Sequence, residues 1–480
     1  MRNKLLFLIL DIILIVLACY FSFLLRFDGT LPENRIDGFY VFTILAVLTT
    51  PAIFYLFNLY KKSWSFVSLT DLPSILRGVG VSGLFLVIVL YVMRANPRLI
   101  EFPRSVFFLY VILLFFLVSG LRFSKRIYWQ MLKSNSPKAK DDLVLPLTNN
   151  EINNHKPKNI LVTGGAGYIG SVLVRLLLAN GYNVKVVDKL LFGDDSLKEL
   201  YSNPNFELTK GDILDKELMS RVLTDIDAVV NLAAIVGEPA CLAKKDVALQ
   251  TNYVGSVYLA RLCKMLGIRR FIQASTCSTY GQQDNKEKVP EKGDLFPVDF
   301  YGETKIYAEK ELTKLMDANF NPTILRFSTV YGLSPRMRFD LVVNTLTKKA
   351  TIDKKLTIFG GDQWRPLVHV NDISRAIALV LESPLSRVGS QIFNVGSNSE
   401  NYLVSEVGGL VKQSIPDAVI ENIGGIQDKR SYKVDFTKIN KELGFQTEKK
   451  VQDGIIEIRD AIRSGKFPDP ENKSYYNHLM

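Results

Sequence analysis

Histidine and cysteine are scarce in this 480-residue chain, which has three of the first and four of the second. His155, His369 and His478 lie far apart, and Cys19, Cys241, Cys263 and Cys277 show no metal-ligand spacing. That excludes a zinc site and a disulfide framework, leaves no metal in the expected chemistry, and fits a reducing compartment for the C-terminal part. Acidic residues are thin at one end. Residues 1–140 hold 6 Asp/Glu against 16 Lys/Arg, ten of the net charge of +11, so the remainder is near neutral. Neither a basic groove nor an RNA-binding motif accompanies this charge, so nucleic acid is not an expected partner. Basic charge beside apolar runs is instead what membrane topology requires.

Such runs are present. Residues 5–25 are long enough to span a bilayer, and similar runs follow at 39–60, 79–93 and 105–121. The third, bounded by Arg77 and Arg94, reads as short. The first lacks a small-residue cleavage site and is followed by three more, so it reads as an anchor rather than a signal peptide. The expectation is an all-α four-helix transmembrane domain over 1–130, with the lipid bilayer as a partner. Lys/Arg placement at the N-terminus, at Lys61, Lys62 and Arg77, and after the fourth run puts both ends inside. Asp11, within the first span, reads as a group paired to a basic neighbour, with a functional intramembrane carboxylate as the alternative. The stretch from Trp64 to Leu76 mixes aromatic, polar and apolar residues and is expected at the cytoplasmic interface. Residues 131–158 lose periodicity and read as a linker.

The F-N-L-Y-K-K-S-W-S-F-V-S-L-T-D-L stretch at 57–72 and P-R-S-V-F-F-L-Y at 103–110, with the four runs, resemble the membrane region of bacterial membrane-anchored nucleotide-sugar 4,6-dehydratases of polysaccharide biosynthesis. That family usually inserts a further nucleotide-binding-like domain before the catalytic one. Here only the short linker intervenes, so catalytic equivalence does not follow.

From 159 onward strands alternate with helices, which predicts a Rossmann-type doubly wound parallel sheet over 159–480 with a smaller C-terminal substrate-binding part. The stretch N-I-L-V-T-G-G-A-G-Y-I-G at 159–170 reads as a buried strand, a glycine turn and a helix start. A helix N-terminus offers unpaired N–H groups to a pyrophosphate. Gly164 permits the turn, Gly167 lets backbone approach phosphate, and Gly170 lets helix pack on strand. Asp188 ends the next strand, 24 positions after Gly164, where a carboxylate accepts from both ribose hydroxyls and disfavours a 2′-phosphate. NAD is therefore the expected cofactor. Tyr301 and Lys305 are four apart, on one helix face. An ammonium near a phenol favours the phenolate, which yields a base for a sugar hydroxyl.

Taken in order, G-G-A-G-Y-I-G, G-D-I (211–213), N-L-A-A (231–234), A-S-T-C-S-T-Y-G (274–281), Y-G-E-T-K (301–305) and W-R-P-L-V-H-V-N-D (364–372) resemble the extended short-chain dehydrogenase/reductases, the nucleotide-sugar epimerase/dehydratase family, across about 159–470. The resemblance implies Thr276 as hydroxyl partner, Tyr301 as acid/base and Lys305 as orienting lysine. It implies cofactor contacts from Gly164, Gly167, Tyr168, Ile169, Gly170, Asp188, Asp212, Ile213 and Ala233. Asn252 matches the asparagine that supports the lysine. Asn344, Arg365 and Arg430 are the implied contacts to a UDP- or dTDP-linked sugar, and His369 reads as a packed histidine. A homodimer through catalytic-domain helices is a further implication.

Departures narrow the reaction. Soluble 4,6-dehydratases of the family carry Asp-Glu after the threonine, and nucleotide-sugar decarboxylases keep a Glu there; here Cys277 and Ser278 follow. Asn231 also stands where many members have His. A membrane-anchored 4-epimerase at the inner membrane face is the first expectation. A 4-keto reductase, a 4,6-dehydratase and an epimerase of a lipid-linked sugar are the alternatives. Intact Thr276, Tyr301 and Lys305 argue against a non-enzymatic scaffold.

Overall fold

The structure, a computed structural model, describes residues 2–57, 72–93, 102–134, 156–283, 286–423, 428 and 430–477. The expected interfacial stretch up to residue 71, Lys61, Lys62, Arg94, Arg98, most of the linker, His155 and His478 lie outside them. The chain divides into two compact units, residues 1–142 and 143–480.

The first unit is helical: α1 (Arg2–Arg26), α2 (Ile36–Leu56), α3 (Leu72–Val92) and α4 (Arg104–Ser134). Among the described residues, three stretches are long and apolar enough to cross a membrane: Leu8–Arg26, Ile36–Leu56 and Ile75–Val92. Four helices form this unit, as expected, and length and composition support three of them as spans. The fourth helix carries a shorter apolar stretch, Arg104–Gly120, and Arg122, Lys125 and Arg126 follow it in the sequence. The third helix, expected to be short, instead starts at Leu72. Arg77 is exposed near its beginning, where a long basic side chain can reach water while its stem lies on apolar surface.

Phe23, Phe42 and Tyr110 are fully buried between these helices, with the Phe42 and Tyr110 rings edge-to-face at 5.2 Å. The Tyr110 hydroxyl meets Thr50 Oγ1 at 3.1 Å, which satisfies both groups away from water. Gly83 allows close helix approach, since a Cβ there would lie 2.7 Å from Val111 Cγ2. Asp11 is buried. Leu48, Leu84, Phe108 and Phe116 are each more than half exposed, so the helices are apolar outside as well as inside. Helices apolar all round are suited to lipid.

The second unit is α/β. A seven-stranded parallel sheet runs in the order β10-β6-β5-β4-β1-β2-β3. Its strands are β1 (Asn159–Thr163), β2 (Asn183–Asp188), β3 (Phe206–Lys210), β4 (Ala228–Asn231), β5 (Arg270–Thr276), β6 (Asn321–Phe327) and β10 (Ile392–Val395). Ile160, Leu161 and Val162 are fully buried, as apolar runs must be when both sheet faces are covered. β1 lies between β2 and β4, in register Thr163 to Val187 and Thr163 to Asn231. The strand order reverses there, and the crevice beyond the carboxyl ends of these strands is where such sheets take ligands. The smaller part holds a three-stranded sheet, β11-β9-β7, and a two-stranded one, β12-β8. These comprise β7 (Thr329–Tyr331), β8 (Lys355–Phe359), β9 (Trp364–His369), β11 (Asn401–Leu403) and β12 (Val419–Ile423).

Candidate active site

One cavity opens at that crevice. Its walls are the turns that follow β1, β2, β3 and β4, with Tyr301 and Lys305 at one side. The β1 turn is built for close approach. Gly164 has φ +74°, and a Cβ there would meet Ala233 N at 2.8 Å. A Cβ at Gly170 would come within 2.3 Å of Gly164 O, so the helix Tyr168–Ala179 rests directly on the turn. Gly167 caps that helix without any side-chain bond. These backbone features fit a dinucleotide pyrophosphate at the helix N-terminus.

Asp188 ends β2 at the cavity wall. Its Oδ2 accepts from Ala166 N at 3.0 Å and its Oδ1 from Leu190 N at 2.8 Å, which fixes the carboxylate to the glycine turn. Burial pushes its pKa up. Lys189 pairs with Asp212 at 2.8 Å, so its charge is matched beside the ribose position. Ile213 and Ala233 line the cavity, as do Tyr168 and Ile169.

Asn252 is fully buried in a π-helical turn, outside the cavity lining. It accepts from Ile235 N at 2.8 Å and donates to Ile235 O at 2.9 Å and Thr304 Oγ1 at 3.1 Å. It therefore braces the β4 turn against the helix that carries Tyr301, and does not bond Lys305. Asn231 is held by Thr163, Ser256 and Gln273 inside the sheet.

The helix Phe300–Leu315 begins at Asp299, whose Oδ1 accepts from Gly302 N at 2.6 Å. Tyr301 N donates to Glu238 Oε2 at 3.2 Å. One turn on, Lys305 is 2% exposed, donates to Ala274 O at 3.0 Å and lies 5.9 Å from the Tyr301 ring centroid. Thr276, at the end of β5, accepts from Ser278 N through its hydroxyl. The expected acidification of the phenol is corrected here. Burial, with Cys241 and Asp299 nearby, pushes the Tyr301 pKa up, and burial pushes Lys305 down to about 8. The helix spacing does put both groups on one face, but desolvation outweighs an ammonium at this distance.

The two positions after Thr276 face away from proton chemistry. Cys277 is fully buried, donates to Arg326 O at 3.3 Å, and its thiol is pushed up by burial. Ser278 Oγ accepts from the Tyr432 hydroxyl at 3.3 Å.

The expected substrate contacts lie outside the lining of this cavity. Asn344 is fully buried: it accepts from Gly332 N at 3.1 Å and donates to Tyr168 Oη at 3.1 Å and Arg338 O at 2.8 Å. Its amide is fully engaged in holding a turn, and it does not line the cavity. Arg365 pairs with Asp428 at 2.8 Å and donates to Arg430 O. Arg430 pairs with Asp428 at 2.6 Å and Asp299 at 3.3 Å. The two guanidinium groups thus converge on one carboxylate, whose pKa they pull well below the usual range. Neither lines the cavity. His369 is buried, with Nε2 2.7 Å from Glu457 and Nδ1 accepting from Asn371 N.

The sequence reading missed Phe192, Arg336, Arg338 and Asn477, which all line the cavity. Arg336 and Arg338 sit in Ser334-Pro-Arg-Met-Arg, a basic run after β7 that signalled nothing but surface charge. Among the described residues no three His, Cys, Asp or Glu side chains are placed to hold a metal ion.

A sequence profile described as the NAD dependent epimerase/dehydratase family matches residues 160–396. The chain is similar to the UDP-glucose 4-epimerase of Lactobacillus helveticus, 31% identical over 319 residues that cover 62% of this chain and 94% of that protein. It is similar to a trifunctional UDP-glucose 4,6-dehydratase/UDP-4-keto-6-deoxy-D-glucose 3,5-epimerase/UDP-4-keto-L-rhamnose-reductase of Arabidopsis thaliana, 30% identical over 321 residues. That match takes in 64% of this chain and only 47% of the plant protein. The crystal structure of UDP-glucuronic acid 4-epimerase from Bacillus cereus, in complex with UDP-glucuronic acid and NAD, aligns with a TM-score of 0.58 and 28% identity. It covers 64% of this chain and 99% of that one.

Proposed function

Because the chain belongs to the NAD-dependent epimerase/dehydratase family of nucleotide-sugar enzymes, we propose that it is a membrane-anchored nucleotide-sugar 4-epimerase of cell-surface polysaccharide biosynthesis. NAD is the cofactor; when bound it supplies the hydride acceptor and donor for a sugar carbon.

The observation that carries the reading is the absence of a carboxylate at 277 and 278 beside an intact Thr276, Tyr301 and Lys305. An elimination needs an acid and a base beyond the tyrosine. Cys277 is turned into the core and Ser278 is bonded to Tyr432, so neither position supplies one. Glu238 is committed to the backbone at Tyr301. Epimerisation asks less: one group that removes the C4 hydroxyl proton and returns it. Tyr301 takes that proton on its phenol oxygen, the Thr276 hydroxyl orients the sugar, and Lys305 places a positive charge one helical turn away that opposes, without overcoming, the desolvation of the phenol. Arg365 and Arg430, already converged on an anion, suit the diphosphate of a UDP- or dTDP-sugar. The apolar exterior of α1, α2 and α3 supports anchoring, with the catalytic unit at the cytoplasmic face.

The test is incubation of the purified full chain with UDP- and dTDP-sugars and their lipid-linked forms, with C4 configuration read by NMR. Inversion at C4 without consumption of external NADH or NADPH is expected, and Tyr301→Phe should lose about 10²- to 10⁴-fold in turnover. Accumulation of a 4-keto-6-deoxy sugar would make the enzyme a dehydratase. Stoichiometric use of external reductant would make it a reductase.

A further inference from the structure

Residues 332–336 are strapped onto the first turn of the helix Tyr168–Ala179. Tyr168 Oη donates to Gly332 O at 2.6 Å, and Ser334 Oγ donates to Tyr168 O at 2.7 Å. Ser334 Oγ also lies 3.0 Å from Ser171 Oγ, and Arg336 N donates back to Ser334 Oγ at 3.3 Å. The strap therefore runs beside the glycine turn and delivers Arg336 into the cavity wall.

There the guanidinium stacks on Phe192, with its carbon 3.7 Å from the ring centroid. Arg336 is 6% exposed, and its Nε and Nη2 have no hydrogen-bond partner among the described residues. The carboxylates within reach of its field are occupied. Asp340 pairs with Arg338 at 2.8 Å, and Asp188 accepts from Ala166 and Leu190. Asp340 and Asp188 offset part of its charge without a hydrogen bond to it, and desolvation with the neighbouring Arg338 still pushes its pKa down to about 9. Natural chains keep such a group where a ligand completes it.

We propose that Arg336 is a phosphate-binding residue for the dinucleotide, its two idle N–H groups gripping the diphosphate from the strap while the glycine turn holds it from the helix. Two N–H donors in a fixed fork suit a bidentate phosphate contact, and the Phe192 ring holds the fork in plane. The diphosphate is favoured over a 2′-phosphate because Asp188 stands at the ribose end. The proposal rests on the bound cofactor being NAD and is independent of which sugar is converted.

The full chain, purified in detergent and freed of dinucleotide, is titrated calorimetrically with NAD, NADP, ADP and adenosine. Arg336→Gln should weaken ADP and NAD at least about tenfold and leave adenosine unchanged, with Arg336→Lys recovering part of the loss. Equal ADP affinity in wild type and Arg336→Gln overturns the proposal. A loss confined to NADP also overturns it, in favour of a 2′-phosphate contact. Ligand-free melting guards against a folding artefact. Arg336→Gln and Arg336→Met should melt no lower than wild type, because each removes a buried charge whose desolvation outweighs its partners and whose donors are unmet. A lower melting temperature in both makes Arg336 structural and defeats the assignment.

Discussion

Arg326 and Arg336 are buried to a similar depth in the same unit, yet one is saturated with partners and the other is not. On β6, Arg326 meets Glu309 through Nε at 3.1 Å and Nη2 at 2.7 Å, and Tyr280 Oη and Glu291 O through Nη1. At the cavity, among the described residues, Arg336 keeps two donors idle and Lys305 has a single bond to a carbonyl. Between these extremes, Arg365 and Arg430 share Asp428. A saturated cation holds a shape. An unsaturated one, costly to keep, marks where charge or a proton must arrive.

The sharpest way to break this contrast is Glu309→Ala. It would leave Arg326 buried without a counterion and remove the acceptor of the Ser275 hydroxyl, at a cost of about 3–5 kcal/mol in thermal or denaturant unfolding of the full chain. Lys305→Met should act with the opposite sign. The folded-state pKa of Lys305 is depressed to about 8, so below that pH the fold carries an ammonium it disfavours. Between about pH 8 and the unfolded value near 10.5 the unfolded chain binds the extra proton, and wild-type stability rises with pH. The variant should therefore be more stable than wild type at pH 7 by roughly 1–3 kcal/mol, and this gap should close towards pH 10.5. Its turnover should collapse, and wild-type turnover should fall on an alkaline limb near pH 8 as Lys305 loses its charge.

A smaller effect is expected from Asp428→Asn, which releases Arg365 and Arg430 from their own carboxylate. UDP affinity measured by calorimetry should rise about three- to tenfold if the diphosphate competes for that site. An unchanged affinity with a lower melting temperature would class this cluster with Arg326. Lys198→Ala, which breaks an exposed pair with Asp195, should leave the melting temperature where it was.

What the sequence disclosed follows how locally each feature is encoded. Gly164, Gly170 and Asp188 act through their own backbone turns and strand ends, so a short reading frame suffices. The strands Asn159–Thr163 and Asn183–Asp188 are similarly legible as apolar runs closed by a turn or a carboxylate. Asn344 was misread because its segment follows the catalytic helix in the chain; its partners Gly332 and Tyr168 are set by a long-range contact spanning 176 positions for the second. Arg336 is not legible for the same reason, since the bonds that place its segment on the helix run from Gly332 and Ser334 to Tyr168, over 160 positions away. The third apolar helix reads as short because a hydropathy run stops at Arg77, whereas the backbone continues through it. In each miss, the decisive partner was distant in sequence or the local composition outvoted the backbone.

The Tyr168 hydroxyl and the Ser334 strap also bear on how long a dinucleotide stays. These two bonds tie the strap to the helix that follows the glycine turn, so the off-rate of a dinucleotide gripped by Arg336 is expected to depend on them. A reaction that returns its cofactor to the starting oxidation state never needs that release, whereas one that consumes reductant must repeat it at every cycle. On the contact proposed for Arg336, the strap is expected to favour residence over exchange. Its slow step, the off-rate of NAD from wild type against Ser334→Ala, is a clock that separates a resident prosthetic group from a travelling cosubstrate.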